Sequence, residues 1–235
     1  MLVFWDVDGT LMSCGSDGTR ALNETFFEMY GVEGAFLGAG IGGAQDSAIL
    51  RRIAAERGAE GFDADAFASA YVSKLKRILD ENQNKRVLPG VARLLECVRE
   101  RLGRRNLLLT SNMRAGAEAK LRSVGLWPHF ADSPCGGFGD APGEKWDAAR
   151  AVLAEVSALL GRVVSPRDCV VIGDGVYDVR CAKRIGARSI AVATGWTSAE
   201  VLAAETPAHL FADLTDTARV ALAIRGAESE NGSMR

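Results

Sequence analysis

The chain has 235 residues, of which 48% are hydrophobic and 25% charged, with a formal net charge of -2. That balance is ordinary for a globular protein and excludes the strongly basic field of a nucleic-acid or anionic-membrane binder. No run of about 18 apolar residues is present to cross a bilayer, and the N-terminus enters a strand with no basic leader, so no signal peptide is expected.

The five cysteines (Cys14, Cys97, Cys135, Cys169, Cys181) are odd in number and scattered, without a C-x-x-C pair. They argue against a disulfide framework or zinc site and for a reducing, cytoplasmic setting. His129 and His209 are the only histidines, too few for a histidine metal site or triad, and His129 after Trp127-Pro128 reads as turn or packing.

The first strand runs from about Leu2 to Asp6, and Gly9 and Thr10 break it into a tight turn. A polar stretch, Ser13 to Gly18, leads into helical patterns at Thr19 to Tyr30, Ala44 to Arg57 and Ala64 to Leu79. In the third, Phe67, Tyr71, Leu75, Ile78 and Leu79 recur at helical spacing. A glycine-rich loop, Gly31 to Gly43, separates the first two. No strand interrupts residues 19 to 80, so this block reads as an all-helical insertion.

From Pro89-Gly90 the pattern changes. A helix to about Arg101 precedes the apolar run Asn106 to Leu109, which ends in Thr110-Ser111-Asn112. A helix from Ala115 to Val124 stops at Gly125, and Phe130 to Ser133 reads as a short strand before the loop Cys135 to Gly143. A helix, Glu144 to Leu160, leads to a strand from Asp168 to Asp174, a helix from Tyr177 to Ile185, and a strand from Arg188 to Val192. A helix from Ser198, a weak strand at His209 to Phe211 and a helix from Leu214 to Ile224 follow. Strands alternating with helices imply a parallel sheet with right-handed crossovers. The polar tail from Gly226 is expected to be disordered.

Asp6 and Asp8 stand at the carboxyl end of the first strand, where open α/β sheets bind ligands. Two carboxylates there repel, and a hard cation such as Mg²⁺ offsets them. A carboxylate can also be a nucleophile that forms an aspartyl-phosphate. Thr110, Ser111 and Asn112 offer hydroxyls and N–H groups at a helix start, suited to a phosphate oxygen or to ordinary capping. Lys145 opens a helix, where a cation opposes the dipole, so it serves something outside that helix or is a solvated surface lysine. Asp174 ends a strand and Asp178 follows at i+4 on the same helix face. They read as a metal ligand with an outer-shell partner, or as a cap with a first-turn acid.

In this joint order, Asp6-x-Asp8-Gly9-Thr10, Thr110-Ser111, Lys145 and Gly173-Asp174-x-x-x-Asp178 resembles the haloacid dehalogenase-like hydrolase superfamily, most closely its phosphoglycolate phosphatase and beta-phosphoglucomutase branch. The resemblance spans about residues 1 to 225. It implies an α/β fold: a Rossmann-like parallel-sheet core with helices on both faces (residues 1–14 and 86–225), an inserted all-helical cap (15–85), and a tail (226–235).

By the same resemblance, Asp6 is the nucleophile and Asp8 the acid/base. Thr110, or Ser111 beside it, binds the transferring phosphoryl group with Asn112 alongside, and Lys145 steadies the nucleophile and the phosphate. Asp6, the Asp8 carbonyl and Asp174 hold Mg²⁺, supported by Asp178. Trp146 follows Lys145 where the family more often has Pro. An acid that gives and then takes a proton needs a raised pKa, which neighbouring carboxylates would supply. An Asp at position 8 also argues against dehalogenation, because a halide leaves without a proton.

The cap is expected to close over the phosphate. Gln45 or Asp46 in the loop Gly38 to Asp46 would read substrate hydroxyls. Arg51 and Arg52 are candidates to meet a substrate carboxylate, although surface arginines are mostly solvated. The implied reaction is Mg²⁺-dependent hydrolysis of a small phosphomonoester. The alternatives are a phosphomutase of the beta-phosphoglucomutase type and a non-catalytic binding protein of the same fold. The expected partner is a small phosphate ester, with no nucleic acid or membrane, acting on a monomer or weak dimer.

Overall fold

A computed structural model describes residues 2–38, 45–131, 133, 135–140 and 143–226. The glycine-rich stretch 39–44 and the tail beyond Gly226 lie outside the described residues. Strand β1 (Leu2–Trp5) leads through the short β2 (Met12–Ser13) into α1 (Asp17–Tyr30), α2 (Asp46–Glu56) and α3 (Ala64–Glu81). The chain returns by β3 (Arg86–Val87), which pairs antiparallel with β2. Next come α4 (Val91–Glu96), continued by a π turn at Cys97–Arg101, then β4 (Arg105–Leu108), α5 (Arg114–Ser123) and α6 (Pro128–Ala131). The last third is α7 (Lys145–Leu160), β5 (Cys169–Gly173), α8 (Val176–Ile185), β6 (Arg188–Val192), α9 (Ala199–Ala204), β7 (His209–Phe211) and α10 (Thr217–Arg225).

The five long strands form one parallel sheet in the order β4-β1-β5-β6-β7. Strand β1 is therefore flanked by strands that follow it in opposite directions across the sheet, which makes its carboxyl end a topological switch point. Trp5 is in register with Leu108 on one side and Ile172 on the other. Asp6, Thr110 and Asp174 thus leave the sheet together along one edge.

Period-2 alternation buries both faces of β1. Leu2 and Phe4 pack with Leu107, Val171, Val152 and Cys181 under α7 and α8. Val3 and Trp5 join the opposite cluster, which runs on through Leu94 and Leu95 to Phe26, Phe67 and Tyr71 of the helical insertion. The buried Trp5 indole donates to Asn106 Oδ1 at 2.9 Å, and the Asn106 amide donates to the Leu95 carbonyl at 3.1 Å. These bonds offset the cost of burying the polar groups.

Of the stretch expected as a strand from Phe130 to Ser133, Phe130 and Ala131 instead close the short helix α6, with Pro128 in its first turn, where a missing N–H costs nothing; residue 132 lies outside the described residues. Phe130 is buried in the core there, and its N–H donates to the Trp127 carbonyl at 2.9 Å. The final helix begins at Thr217, capped by Asp216, whose side chain accepts from the Arg219 N–H; Leu214 before it is buried. Among the described residues no helix is long and apolar enough to cross a membrane.

Candidate active site

The switch point opens into a cavity of about 440 Å³ lined by Asp6, Asp8, Thr110, Lys145, Asp174 and Asp178, with further residues from the helical insertion. The apolar run before Asp6 exists to pack β1, and the turn after it sends the next carboxylate elsewhere. Gly9, at φ +79°, makes that turn, and a Cβ at this position would lie 2.5 Å from Asp174 Oδ2. Glycine is the residue that meets both demands. Across the cavity a Cβ on Gly195 would fall 1.7 Å from the same oxygen, so the backbone closes tightly around Asp174 from two sides.

Lys145 stands at the first position of α7 and turns away from that helix. Its Nζ lies 2.9 Å from Asp6 Oδ1 and 2.5 Å from Asp178 Oδ1. The second Asp178 oxygen accepts the Gly175 N–H at 2.9 Å, so both of its oxygens are engaged. Asp174 Oδ1 accepts from the Thr10 hydroxyl at 2.8 Å. Carboxylate oxygens of Asp6, Asp174 and Asp178 all lie within 4.8 Å of one another.

One lysine does not neutralise three buried acids. Burial, together with Asp178 and Asp8, pushes Asp6 up to about 6 against the pull of Lys145. Burial, then Asp6 and Asp178, push Asp174 up to about 8. Burial opposes the charge of Lys145, yet Asp178 and Asp6 hold its pKa above the usual lysine range. An all-oxygen donor set with unneutralised charge fits a hard divalent cation such as Mg²⁺. Asp6 and Asp174 have oxygens to give, whereas Asp178 is better placed to orient its neighbours.

Asp8 differs from expectation. Its Oδ2 lies 2.6 Å from Lys120 Nζ and 2.8 Å from Asn112 Nδ2. Lys120 also donates to Asn112 Oδ1 at 2.7 Å. Burial alone would raise the Asp8 pKa, but the charge and hydrogen bond of Lys120, aided by Asn112, hold it below the usual carboxylate range. The neighbouring carboxylates do not supply the raised value that sequence reasoning anticipated, because a cation stands closer.

Lys120 is the residue that reasoning from sequence missed. It lies on the buried face of α5 with Gly116, Ala117 and Leu121. A lysine at a core-facing helical position was the available signal, since lysine is almost never buried without a partner.

Thr110 is buried, and its hydroxyl accepts from the Asn112 amide at 2.8 Å. Ser111 lines the cavity beside it. Asn112 thereby links Thr110, Asp8 and Lys120 in one network.

Of the two insertion residues singled out, only Asp46 reaches the cavity. Its backbone N–H donates to the Ser111 carbonyl at 3.0 Å, and its Oδ2 accepts the Met113 N–H at 3.1 Å. Burial, against the opposing charge of Lys120, pushes its pKa up to about 6. Gln45 is buried and turned into the docking contact, where its amide donates to the Phe138 carbonyl at 3.3 Å. It anchors the insertion against the loop before α7. Arg51 and Arg52 are exposed on α2 and outside the cavity lining; Arg52 pairs with Glu56 at 3.2 Å.

Comparison with known proteins shows the family. The family model described as haloacid dehalogenase-like hydrolase matches residues 3–183. A phosphoglycolate phosphatase from Chromobacterium violaceum is 28% identical over 217 residues, 91% of this chain and 94% of the relative. Among solved structures, CbbY from Rhodobacter sphaeroides in complex with phosphate superposes with a TM-score of 0.67 at 24% identity, covering 92% of this chain and 95% of the other. A hydrolase from Pseudomonas syringae gives 0.68 at 20% identity, covering 95% and 98%. At these identities the two structures speak for the fold.

Proposed function

The chain belongs to the haloacid dehalogenase-like hydrolases and is a phosphatase of that family, and from this premise we propose that it hydrolyses a small phosphomonoester with Mg²⁺ through an aspartyl-phosphate on Asp6. The observation that carries the reading is the placement of Asp6: an acid at the switch point, faced by the buried Lys145 ammonium and by Asp174 within one cavity.

Asp6, the Asp8 carbonyl and Asp174 are the groups that would hold Mg²⁺, which when bound screens the charge of the phosphate and of the carboxylate that attacks it. Lys145 lowers the repulsion between Asp6 and an incoming phosphate dianion and steadies the charge on the transferring group. Thr110, or Ser111 at the cavity wall, and the N–H groups leading into α5 orient the phosphate oxygens, because phosphoryl transfer depends chiefly on positioning and electrostatics. Asp8, ionised beside Lys120, is set to take the proton of the water that opens the aspartyl-phosphate. In the first half-reaction the same carboxyl, carrying the proton it took from the hydrolytic water of the preceding turnover, gives that proton to the departing alkoxide. Residues 15–85 serve as the cap that encloses the ester, with the start of α2 resting on the loop after β4.

The test is turnover of a panel of small phosphate esters (phosphoglycolate, sugar phosphates and nucleotides) by purified protein, with Mg²⁺ and with EDTA. Mg²⁺-dependent phosphate release that EDTA abolishes is expected. Isomerisation of hexose phosphates without net phosphate release would instead assign the phosphomutase reaction. The absence of both would leave a binding protein.

A further inference from the structure

The far end of the cavity, away from Asp6 and Lys145, receives whatever the phosphate is esterified to. Its walls come from the helical insertion and are largely apolar: Leu22, Ile49, Leu50 and Tyr71. Trp196, 88% exposed, stands at the mouth. A large aromatic surface left in water beside a ligand cavity is a contact surface for carbon, not a phosphate or carboxylate receptor.

Two charged groups interrupt this lining. Lys120 is buried and already bonded to Asp8 and Asn112. Asp46 offers a carboxylate that, among the described residues, forms no ion pair with any cation. Across the whole cavity the ionisable lining is five carboxylates (Asp6, Asp8, Asp46, Asp174 and Asp178) against two ammonium groups, Lys120 and Lys145. No arginine of the described residues lines it. The sequence of residues 39–44, Ala-Gly-Ile-Gly-Gly-Ala, contains no ionisable side chain.

A second anion on the substrate would therefore meet Asp46 with no free cation to receive it. Placing like charges together in a desolvated site is unfavourable. A hydroxyl has the opposite fate, since it can donate to Asp46 while the carbon beside it rests on Ile49, Leu50 and Tyr71.

Building on the phosphatase reading, we propose that the preferred ester has an uncharged alcohol as its leaving group, with a hydroxyl read by Asp46, and that the site rejects esters carrying a second carboxylate or phosphate.

Matched pairs test this. Glycerol 3-phosphate is compared with 3-phosphoglycerate, and 2-hydroxyethyl phosphate with phosphoglycolate, each with Mg²⁺. The expected result is kcat/KM at least about tenfold higher for the neutral member of each pair, chiefly through KM, as about 1.4 kcal/mol of discrimination gives. Asp46→Asn, which keeps an acceptor for the Met113 N–H, should narrow the ratio by improving the anionic member. An equal or reversed preference in the wild type overturns the proposal, and a ratio unaffected by Asp46→Asn overturns the role of Asp46. Calorimetric binding of the same four esters to Asp6→Asn reads the preference without turnover. If no ester is hydrolysed, the phosphatase reading fails by itself, and tighter binding of the anionic or of the neutral members still decides this one.

Discussion

Lys120 Nζ lies 2.6 Å from Asp8 Oδ2, so the second carboxylate of the Asp-x-Asp motif is neutralised by a lysine 112 residues further along the chain. The pair is buried on the lysine side and shared with Asn112, which in turn bonds Thr110. The network ties the start of β1's loop, the end of β4 and the buried face of α5 into one unit.

Lys120→Met should act on both stability and pH dependence. Removing the cation beside a carboxylate that is 36% exposed to the cavity costs less than the ~3–5 kcal/mol of a fully buried pair, and denaturant unfolding measures it. Asp8 in the native state sits below its ordinary pKa, so the pair supports folding above the usual carboxylate range and loses that support as acid protonates Asp8. Without Lys120, the Asn112 hydrogen bond remains but no charge opposes burial, so the Asp8 pKa rises. The alkaline limb of the kcat/KM profile, set by loss of the proton that Asp8 gives to the departing alkoxide, then moves to higher pH. A variant whose alkaline limb stays in place would show that Lys120 does not govern Asp8.

The metal-free protein should become less stable as pH rises. Asp6 and Asp174 are raised to about 6 and about 8, from 3.8. Between the ordinary carboxylate range and those values the native state binds more protons than the unfolded chain, so stability falls with rising pH across that window. A divalent cation replaces those protons. Mg²⁺ should therefore raise the melting temperature more at pH 8 than at pH 6, and its binding should release protons, which calorimetry in buffers of different ionisation enthalpy detects. A melting temperature independent of pH in EDTA contradicts the charge crowding described.

Asp6→Asn should abolish hydrolysis while the fold persists. The amide keeps the side-chain volume and removes a charge that burial disfavours, so circular dichroism and the melting temperature in EDTA should match or exceed the wild type. Phosphate release at the wild-type rate would rule out attack by Asp6.

Lys145→Met removes the cation between Asp6 and Asp178. Loss of one preorganised electrostatic partner in an active site costs about 10²–10³-fold in kcat. The steady-state rate with saturating Mg²⁺ is the readout, and a loss of less than tenfold would move the charge-stabilising role to another group.

Much of this arrangement was legible in the chain. Hydrophobic runs ending in Gly or small polar residues marked β1, β4, β5 and β6, because a strand buried on both faces has few other ways to be written. Their alternation with helical patterns specified a parallel sheet, and the carboxyl end of such a sheet is where Asp6, Thr110 and Asp174 had to lie. The two-residue strands β2 and β3 were invisible, since two residues carry no period. Phe130 was misread because a buried aromatic after Trp127-Pro128 fits a strand or a helical turn equally over so short a span.

The sequence by itself determined which acids stand at strand ends, where they are costly and have few structural excuses. Only the tertiary structure decided their electrostatic states and their neighbours. Whether Asp8 is pushed up by carboxylates or pulled down by a lysine depends on which charge stands within about 3 Å, since coupling falls with distance and with intervening solvent. That spacing is set by the docking of α5 on α3, which brings residue 120 to the loop after β1 and joins it to residue 8. The same holds for Gln45 and Asp46, adjacent in the chain, one turned into the contact with Phe138 and the other into the cavity. A side chain's direction at a helix start is fixed by what the helix rests on, and that surface is assembled from segments distant in the chain.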